Sequence, residues 1–392
     1  MRLDSVRALT QNKTVQAALA ALSNQQEAVI AQAIAIQQIP APTFAEAARA
    51  AYVQQQFAAV GLRDLFQDGL HNVFGRFPGS MSGFPPLVIS AHLDTVFAAE
   101  TDLTVTRRDG LVYGPGIADN SVGVAGLLIL ADTLRQFGLQ PPADIWFVAN
   151  VGEEGLGDLR GMRAVADHFG DAARYVVLEG GLYGQIFHEA IGVNRFCIEV
   201  NTPGGHSWGA FGSPNAIHVL AELIAGITQL QLPTRPKTTY NVGVIEGGMS
   251  VNAIAPSASL LLDLRSEEAS ALATLTAQVR ELAARLGQQP QVEVLVQQVG
   301  SRPGGGIPRQ ASLVQWATAA LQAVGCRQIS YDAGSTDANI PLSRGWQAVC
   351  IGLARSGNAH RLDEYLDPHF LPQGLSQLLL LALAATGFSP AP

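Results

Sequence analysis

Residues 86–94, PLVISAHLD, form an apolar run that ends in a histidine and an aspartate. Two later apolar runs carry glutamates near their ends, residues 144–154 (DIWFVANVGEE) and residues 174–181 (RYVVLEGG). Between the first two runs, residues 121–138 (SVGVAGLLILADTLRQFG) predict a helix that stops at a glycine. Because short buried strands that alternate with helices are typical of a helix-covered parallel sheet, this order predicts an α/β fold with a mixed, mostly parallel sheet flanked by helices.

Elements of the same kind lie on both sides of this central region. They are predicted helices at 14–38, 44–60 and 311–324 and predicted strands near 328–331 and 347–353. Gly61 follows the second of these helices, which is a common C-terminal signal. The α/β pattern therefore breaks off near residue 190 and resumes after residue 301.

The segment between these two parts has a different order of predicted strands and helices. Its strand-like segments are 191–200, 238–248, 258–266 and 291–299, and its predicted helices are 215–230 and 267–287. This β-α-β-β-α-β order is the ferredoxin-like pattern, and the Gly- and Pro-rich stretch SRPGGGIPRQ that follows marks a boundary. We predict a catalytic domain made of residues 1–190 plus 302–392 and an inserted domain at 191–301.

Size and composition are consistent with two domains and limit the possible partners. A chain of 392 residues is longer than one hydrophobic core usually serves. Its 48% hydrophobic and 14% charged residues predict a large core rather than a disordered chain. The net charge of −8, without a run of Lys or Arg, argues against nucleic acid as a partner.

The sequence also bears on location. The first residues lack the apolar segment of a secretory signal, and no stretch reaches about 18 uninterrupted apolar residues, so we expect no membrane partner. The most apolar stretch, residues 375–388, is short enough for a buried helix. Three widely separated cysteines argue against a disulfide framework and predict a reducing, cytoplasmic environment.

Histidine and carboxylate side chains stand where the predicted strands end. His92 and Asp94 follow the first strand, Glu153 and Glu154 the second, and Glu179 the third. The carboxyl ends of strands in open α/β sheets face the ligand crevice, and adjacent buried carboxylates are costly unless a cation lies beside them. These positions predict a metal site, although a surface histidine and exposed loop charges are the alternatives.

Two further candidate ligands lie outside these strands. Asp119 stands in residues 114–120 (GPGIADN) before a predicted helix, and His360 stands in residues 357–365 (GNAHRLDEY). Alternatively, Asp119 or Asn120 caps that helix. Two histidines and three carboxylates form a ligand set suited to zinc, manganese or cobalt, and one bridging aspartate would give each of two metals three protein ligands.

The motifs SAHLDTV, GPGIADN, NVGEEG, VVLEG and GGHS, together with the late histidine, resemble one family in order and spacing over almost the whole chain. It is the co-catalytic dinuclear zinc metallopeptidase family of glutamate carboxypeptidase, acetylornithine deacetylase, succinyl-diaminopimelate desuccinylase and peptidase T. The resemblance implies a zinc-exopeptidase type of α/β domain with an inserted ferredoxin-like lid and dimerisation domain. It also implies a metal-dependent hydrolase that cleaves an amide bond in a small peptide or N-acyl amino acid.

The resemblance assigns roles by position. The implied ligands of two zinc ions, or of cobalt or manganese, are His92, Asp119, Glu154, Glu179 and His360, with Asp119 as the bridge. Glu153 is implied to be the general base that activates the metal-bridging water, and Asp94 to be the orienting partner of His92. The family also implies a cis peptide bond between Asp119 and Asn120.

Residues of the inserted domain and of a late loop complete the implied site. His206 matches the lid histidine that stabilises the oxyanion, often from the partner subunit of a homodimer formed through the inserted domain. Asn252 and Arg265 match the substrate-carboxylate site, where a guanidinium fork suits a carboxylate. Gly334 and Ser335 match a glycine-rich loop beside the substrate. An ordinary lid turn, a solvated strand-end charge and a plain turn are the respective alternatives.

Three other functions stay open. An N-acyl amino-acid deacylase is the alternative to a peptidase, and Glu179, where the aminopeptidase-like branch has aspartate, favours carboxypeptidases and deacylases. Residues 205–209 (GHSWG) match the G-x-S-x-G elbow of serine hydrolases, but no predicted strand leads tightly into a helix there. The third alternative is an inactive metal-binding protein, which would not need Glu153 as a base.

Overall fold

The computed structural model describes residues 2–388, and the chain forms two compact units. The first unit takes in the residues up to Glu189 and again from Gly306, and the second unit is Ala190–Gly305. The predicted insertion, 191–301, lies inside the second unit.

Helices and strands are numbered in chain order. The helices of the described residues are α1 (Arg2–Leu9), α2 (Lys13–Leu22), α3 (Gln26–Gln37), α4 (Ala47–Ala59), α5 (Val122–Gln136), α6 (Arg160–Phe169), α7 (Ala216–Thr228), α8 (Ala269–Leu286), α9 (Ser312–Ala323), α10 (Asn339–Ser343) and α11 (Leu371–Ala385). The strands are β1 (Arg63–Gln67), β2 (Val73–Phe77), β3 (Leu87–His92), β4 (Thr106–Arg108), β5 (Leu111–Tyr113), β6 (Ile145–Asn150), β7 (Arg174–Glu179), β8 (Gln185–Ala190), β9 (Gly192–Asn201), β10 (Gly205–His206), β11 (Thr238–Gly247), β12 (Ala253–Ile254), β13 (Ser257–Ser266), β14 (Glu293–Arg302), β15 (Gly305–Gly306), β16 (Ser330–Gly334), β17 (Ala348–Gly352), β18 (Arg355–Gly357) and β19 (Tyr365–Asp367).

The first unit is built on a mixed sheet. Its strands follow the order β1-β2-β6-β3-β7-β17-β8, and the central strands β6, β3, β7 and β17 pair in parallel. Strands β3 and β17 are buried along their whole length, and helices α5 and α9 pack against them. Strands that are covered on both faces need continuous apolar sequence rather than alternation. The predicted α/β fold is therefore confirmed.

Helix α5 and the irregular turn before it, together Ile117–Gln136, are long and apolar enough to cross a membrane by length and composition alone. However, 83% of the apolar window is buried inside the protein. A helix that is apolar all round is expected where every face packs in a core. We therefore assign this segment to the core of the first unit.

The single helix predicted at 14–38 is wrong, because the chain forms α2 and α3 there with a break between them. At the break, Ser23 Oγ donates to the carbonyl oxygen of Leu19 (3.1 Å), and Asn24 Nδ2 donates to that of Ala20 (3.2 Å). Such side-chain bonds compete with the backbone hydrogen bonds of a continuing helix. Because apolar residues continue on both sides of Ser23 and Asn24, the hydrophobic pattern alone does not predict the break.

The second unit has the β-α-β-β-α-β order predicted for the insertion. Its antiparallel sheet follows the order β11-β13-β9-β14, and α7 and α8 pack against it. Alternate residues such as Phe196, Ile198, Leu260 and Leu262 are buried in this core, because successive side chains of a strand point to opposite faces. The ferredoxin-like arrangement is therefore confirmed. A separate two-stranded pairing, β10 with β12, carries His206.

A small sheet in the first unit, in the order β18-β19-β5-β4, has no clear sequence signal because each strand has three residues. His360 lies in the loop between β18 and β19. Strand β19 pairs with β5, which leads into the turn that carries Asp119. This pairing brings two loops with predicted metal ligands together.

Candidate metal centre

His92 is the last residue of β3, and its side chain is 1% exposed. Its Nδ1 lies 3.0 Å from the main-chain oxygen of Asp94. Since a carbonyl oxygen only accepts, Nδ1 carries a proton and Nε2 is turned toward the carboxylates. Nε2 lies 3.0 Å from Asp119 Oδ1 and 3.7 Å from Glu179 Oε2, but it makes no well-aligned hydrogen bond to the described residues. A buried nitrogen aimed at two carboxylates suits a cation between them.

Asp119 stands between two groups of side chains of metal-ligand type. Its Oδ1 is the oxygen near His92, whereas its Oδ2 lies 3.2 Å from His360 Nε2. The same nitrogen of His360 lies 3.2 Å from Glu154 Oε1. Possible ligand atoms of His92, Asp119 and Glu154 all lie within 4.8 Å of one another. Asp119 thus lies between two pairs of side chains. His92, with Glu179 beside it, is near its Oδ1, and His360, with Glu154 beside it, is near its Oδ2.

The separations in this cluster lie within about 0.3 Å of those expected for first-row metal coordination. A tetrahedral zinc ion with ligands at about 2.0–2.2 Å holds neighbouring ligand atoms roughly 3.3–3.6 Å apart. The separations of the nitrogen and oxygen atoms are 3.0, 3.7, 3.2 and 3.2 Å. Imidazole and carboxylate donors suit zinc, and also cobalt or manganese. The structure therefore brings the five predicted ligands close together, and His92, Asp119 and Glu154 among them form a group that could hold a metal ion.

The electrostatics of the cluster favour bound positive charge. Burial raises the pKa of Glu154 to about 8 and that of Glu179 to about 7. Burial acts in the same direction on Asp119, but His360 and His92 outweigh it and lower the pKa of Asp119. Hydrogen bonds that His360 donates to Asp119 and Glu154 in turn raise the pKa of His360 to about 10. Metal binding would release the protons that Glu154 and His360 hold at neutral pH.

The turn that carries Asp119 is fixed by its own residues. Gly116 has a φ of +71°, in the left-handed region that favours glycine. The Asp119–Asn120 peptide bond is cis, as the resemblance implies. Asn120 Nδ2 donates to the carbonyl oxygen of Leu178, the residue before Glu179, at 2.7 Å. No side chain of the described residues caps the start of α5, so the alternative capping role of Asp119 and Asn120 is wrong.

Asp94 is fully buried and links two strand ends. Its Oδ1 accepts the backbone N–H of Glu153 (3.0 Å), and its Oδ2 accepts that of Glu154 (2.9 Å) and the hydroxyl of Thr43 (2.9 Å). The implied contact of this carboxylate with His92 is longer, at 3.7 Å, because the main-chain oxygen of Asp94 takes Nδ1. Asp94 therefore orients His92 through its backbone and fixes the Glu153–Glu154 turn through its side chain.

The late glycine-rich loop is built around close packing and a buried carboxylate. Gly334 ends β16 against Phe187, whose ring an added Cβ would meet at 2.2 Å. Ser335 is half-buried, and Asp337 is fully buried. Asn150 Nδ2 donates to Asp337 Oδ2 at 2.6 Å, and burial raises the pKa of Asp337 well above its ordinary value. Asn150 has only one sequence signal, a polar residue at the end of an apolar strand.

His206 lies in the second unit on β10, where it is exposed. Its Nδ1 accepts the backbone N–H groups of Trp208 (3.2 Å) and Gly209 (3.4 Å). An accepting Nδ1 leaves the proton of the neutral ring on Nε2, which is then a donor. Ser207 follows β10 directly, and the next helix, α7, begins only at Ala216. The strand-turn-helix elbow of a serine hydrolase is therefore not formed here.

Arg265 and Asn252 also lie in the second unit. Arg265, on β13, donates through Nε to Asp263 Oδ1 at 2.7 Å, and its side chain is 44% exposed. Asn252 is exposed, and its main-chain oxygen accepts the N–H of Ser207 at 3.0 Å. Asn252 thus lies beside the residue that follows His206, whereas Arg265 is paired with a carboxylate of its own strand.

Glu364 is a buried group of this site that the motifs do not single out. It is 0% exposed, and burial together with the charge of Asp119 raises its pKa to about 7. It accepts backbone N–H groups of the Asp119 turn. In the sequence, an acidic residue next to Asp363 looks like an ordinary exposed loop charge.

The fold and the cluster define the class of this protein, an α/β protein with an inserted ferredoxin-like unit and a group of side chains that could hold metal ions. A family model described as peptidase family M20/M25/M40 matches residues 88–384. The chain belongs to this family, which confirms the family resemblance of its motifs.

Two curated relatives are deacylases by name. The chain is similar to acetylornithine deacetylase of Shigella sonnei, with 25% identity over 326 residues that cover 77% of this chain and 81% of the relative. It is also similar to N-formyl-4-amino-5-aminomethyl-2-methylpyrimidine deformylase of Bacillus subtilis, with 27% identity over 222 residues that cover 48% and 50% of the two chains. The chain spans about half the length of the first curated relatives that it matches.

Solved structures share the fold. A tripeptidase from Staphylococcus aureus superposes with a TM-score of 0.77 at 21% identity, covering 92% of this chain and 99% of that one. Human carnosine dipeptidase 1 superposes with a TM-score of 0.74 at 15% identity, covering 95% and 100%. At these identities the likeness establishes the fold alone.

Proposed function

We propose that this protein is a metal-dependent hydrolase of an amide bond in a small peptide or an N-acyl amino acid. The single observation that carries the proposal is the shared carboxylate of Asp119, which turns Oδ1 to His92 (3.0 Å) and Oδ2 to His360 (3.2 Å). Separate oxygens aimed at two ligand groups suit a pair of cations. Membership of a peptidase family and the deacylases among the relatives support the same chemistry.

We propose two cation positions for this donor set. His92, Glu179 and Asp119 would hold one ion. Glu154, His360 and Asp119 would hold the other. Zinc is the best match to these donors, and cobalt and manganese are the alternatives. When bound, such ions would polarise the scissile carbonyl and lower the pKa of the attacking water.

Glu153 is the proposed general base. It is 6% exposed and adjoins Glu154, a proposed ligand. The hydrogen bonds from both backbone N–H groups to Asp94 hold this turn in one conformation. We infer that the Glu153 carboxylate takes a proton from the attacking water and passes it to the leaving amine nitrogen. Adjacent residues of an extended segment point in different directions, so Glu153 and Glu154 can have these separate tasks.

His206 is the proposed oxyanion donor. Its neutral ring carries the proton on Nε2, because Nδ1 accepts two backbone N–H groups. A preorganised neutral donor stabilises the developing negative oxygen without transferring its proton. We further propose that Arg265 and Asn252 bind a substrate carboxylate, that Gly334 and Ser335 line the site, and that the protein is a cytoplasmic homodimer formed through the second unit.

A deacylase is the second candidate. Two curated relatives are deacylases by name: the alignment with acetylornithine deacetylase of Shigella sonnei covers 77% of this chain, and that with the deformylase of Bacillus subtilis covers 48%. Glu179, in place of the aspartate of the aminopeptidase-like branch, favours the same group. The peptidase and the deacylase share one chemistry and differ in the group on the acyl side of the amide.

A substrate screen with metal-loaded protein tests the proposal. Protein reconstituted with zinc, cobalt or manganese is assayed with dipeptides, tripeptides and N-acetyl, N-formyl and N-succinyl amino acids. We expect metal-dependent turnover of one class and a loss of about 10²–10⁴-fold in kcat for Glu153→Ala at unchanged metal content. Full activity of Glu153→Ala combined with inactivity of Ser207→Ala would overturn the proposal. A loaded wild type that is inactive on the whole panel would indicate a binding protein.

A further inference from the structure

Glu364 lies four residues after His360 and directly before β19. Its side chain is fully buried and accepts three backbone N–H groups. Oε1 accepts those of Ala118 (2.9 Å) and Asp119 (3.0 Å), and Oε2 accepts that of Gly116 (3.2 Å). The turn around Asp119 is irregular, so these N–H groups have this carboxylate as their acceptor instead of a helical carbonyl.

These bonds join two loops that lie 245 positions apart in the chain. The backbone contributes as well, because the N–H of Gly114 donates to the main-chain oxygen of Glu364 at 3.0 Å. The pairing of Tyr365 with Tyr113 continues this junction into β19 and β5. The loop of His360 and the turn of Asp119 are therefore one connected piece of structure, with Glu364 at its centre.

The opposite side of the turn is fixed by a different residue. Asn120 Nδ2 donates to Leu178, which precedes Glu179 on β7. Asn120 therefore secures Asp119 to the strand of one proposed ligand, whereas Glu364 secures it to the loop of His360. Since His92 and Glu179 end buried strands, their positions depend on the sheet.

His360 has no such support from a strand. Its side chain is 54% exposed, and its backbone φ is +66° in a loop. Its position relative to Asp119 therefore depends on what holds the loop, and the three side-chain hydrogen bonds of Glu364 reach directly into the Asp119 turn.

We propose that Glu364 is a positioning residue that sets the distance between Asp119 and His360 and thereby shapes the cation position formed by Asp119, His360 and Glu154. This inference rests on the proposed metal-dependent function. It assigns Glu364 to one cation position, because His92 and Glu179 are held by other elements. A role in general stability alone would affect both positions equally.

Cobalt binding to metal-free protein tests this assignment without activity. Wild type is titrated with Co²⁺ and followed by visible absorption and calorimetry, and we expect two equivalents. In Glu364→Gln and Glu364→Ala we expect the first equivalent to bind as in wild type and the second to bind about 10–100-fold more weakly. The effect should be larger for alanine, because glutamine keeps one acceptor oxygen and turns an NH₂ group to the remaining N–H.

Asp144→Asn is the matched control. Asp144 accepts the backbone N–H of Gly79 at 2.7 Å, next to the first residue of β6 and in the same unit. We expect both cobalt equivalents to bind this variant as they bind wild type. With active protein, kcat should fall in Glu364→Gln while KM stays within about threefold, since the substrate site is not changed.

Each outcome decides the inference. Equal affinities in wild type and Glu364→Ala, or equal weakening of both equivalents, overturn the positioning role but leave the proposed function standing. A wild type that binds no cobalt overturns both. If the alanine variant does not fold, the inference is tested by cobalt titration of Glu364→Gln together with amide hydrogen exchange of the wild type. There the amides of Gly116, Ala118 and Asp119 should be protected, and unprotected exchange at all three overturns the inference.

Discussion

Asp94 Oδ1 accepts the backbone N–H of Glu153 at 3.0 Å, so a fully buried carboxylate after one strand fixes the residue proposed as base after the neighbouring strand. Strands β3 and β6 are adjacent and parallel, with His92 opposite Asn150, which brings their carboxyl ends together. The contact goes to the backbone N–H of Glu153 and does not involve its carboxylate. We therefore propose that Asp94 acts by positioning Glu153.

Replacing Asp94 by asparagine should therefore lower kcat more than it lowers metal affinity. Asparagine keeps one acceptor oxygen and turns an NH₂ group toward either Glu153 N or Glu154 N, and an unsatisfied buried donor costs about 1–3 kcal/mol. We expect kcat of Asp94→Asn to fall by at least about tenfold, because the turn of Glu153 is no longer fixed. Steady-state kinetics and metal analysis measure the two effects.

Asp68→Asn is the control for this variant. Asp68 also accepts two backbone N–H groups, those of Leu70 (2.9 Å) and Asn72 (3.0 Å), and it is not a predicted site residue. It should lose stability without losing kcat. Equal kcat losses in Asp68→Asn and Asp94→Asn would mean that Asp94 has no special effect on Glu153.

The parts of the site that end strands could be predicted from the sequence. His92 and Glu179 close continuous apolar runs, and buried parallel strands give such runs a definite end at the ligand edge of the sheet. Asp119 and His360 could be proposed as candidate ligands from the sequence, but only the family resemblance assigned their roles. The turn of Asp119 and the loop of His360 have irregular backbones that no apolar period encodes.

The supporting residues could not be predicted, for a physical reason. Glu364, Asn150 and Asp337 act through contacts between segments far apart in the chain, such as the 2.6 Å bond from Asn150 to Asp337. Local sequence describes neither the partner nor the burial of such a side chain. In the same way, the long apolar pattern at 14–38 could not reveal that Ser23 would bond back to Leu19.

A methyl group at Gly123 should disturb the Asp119 turn. A Cβ there would lie 2.0 Å from Asn120 Oδ1, so the Asn120 side chain must move and lose its bond to Leu178. We expect Gly123→Ala to bind cobalt at least about tenfold more weakly than wild type, since residues that orient ligands typically contribute this much. Gly69→Ala, where no atom lies within 4 Å of the added Cβ, should bind as wild type does. Unchanged cobalt affinity in Gly123→Ala would contradict the role of Asn120.

Removing the imidazole of His206 should affect the transition state and leave metal binding intact. Loss of one oxyanion donor typically lowers kcat by about 10²–10³-fold. We expect this loss in His206→Ala, with the metal content of wild type and a KM within about threefold. His218→Ala, an exposed histidine of the same unit on α7, should keep full activity. If kcat of His206→Ala stays within about twofold of wild type, another group stabilises the oxyanion.

Arg49 should be a large contributor to the stability of the first unit. It is 2% exposed, and its guanidinium donates to the main-chain oxygens of Leu93 (2.7 Å), Ile39 (2.8 Å) and Gln37 (3.2 Å). Burial lowers the pKa of Arg49 to about 10, opposed by the charge of Asp94, so the group remains charged at neutral pH. Methionine fills similar space without donors and leaves these carbonyl oxygens unpaired. We expect Arg49→Met to lower the free energy of unfolding by about 3 kcal/mol.

Arg107→Met gives the comparison that separates burial from charge. Arg107 is paired with Glu27 at 2.7 Å, but their side chains are 48% and 69% exposed, and such surface pairs contribute about 0–1 kcal/mol. Urea unfolding of both variants in metal-free protein measures the difference without a contribution from bound ions. A similarly small loss of unfolding free energy in both variants would mean that water takes over the hydrogen bonds that the guanidinium of Arg49 donates. A large loss confined to Arg49→Met would instead identify Arg49 as the residue that holds the chain between His92 and Asp94.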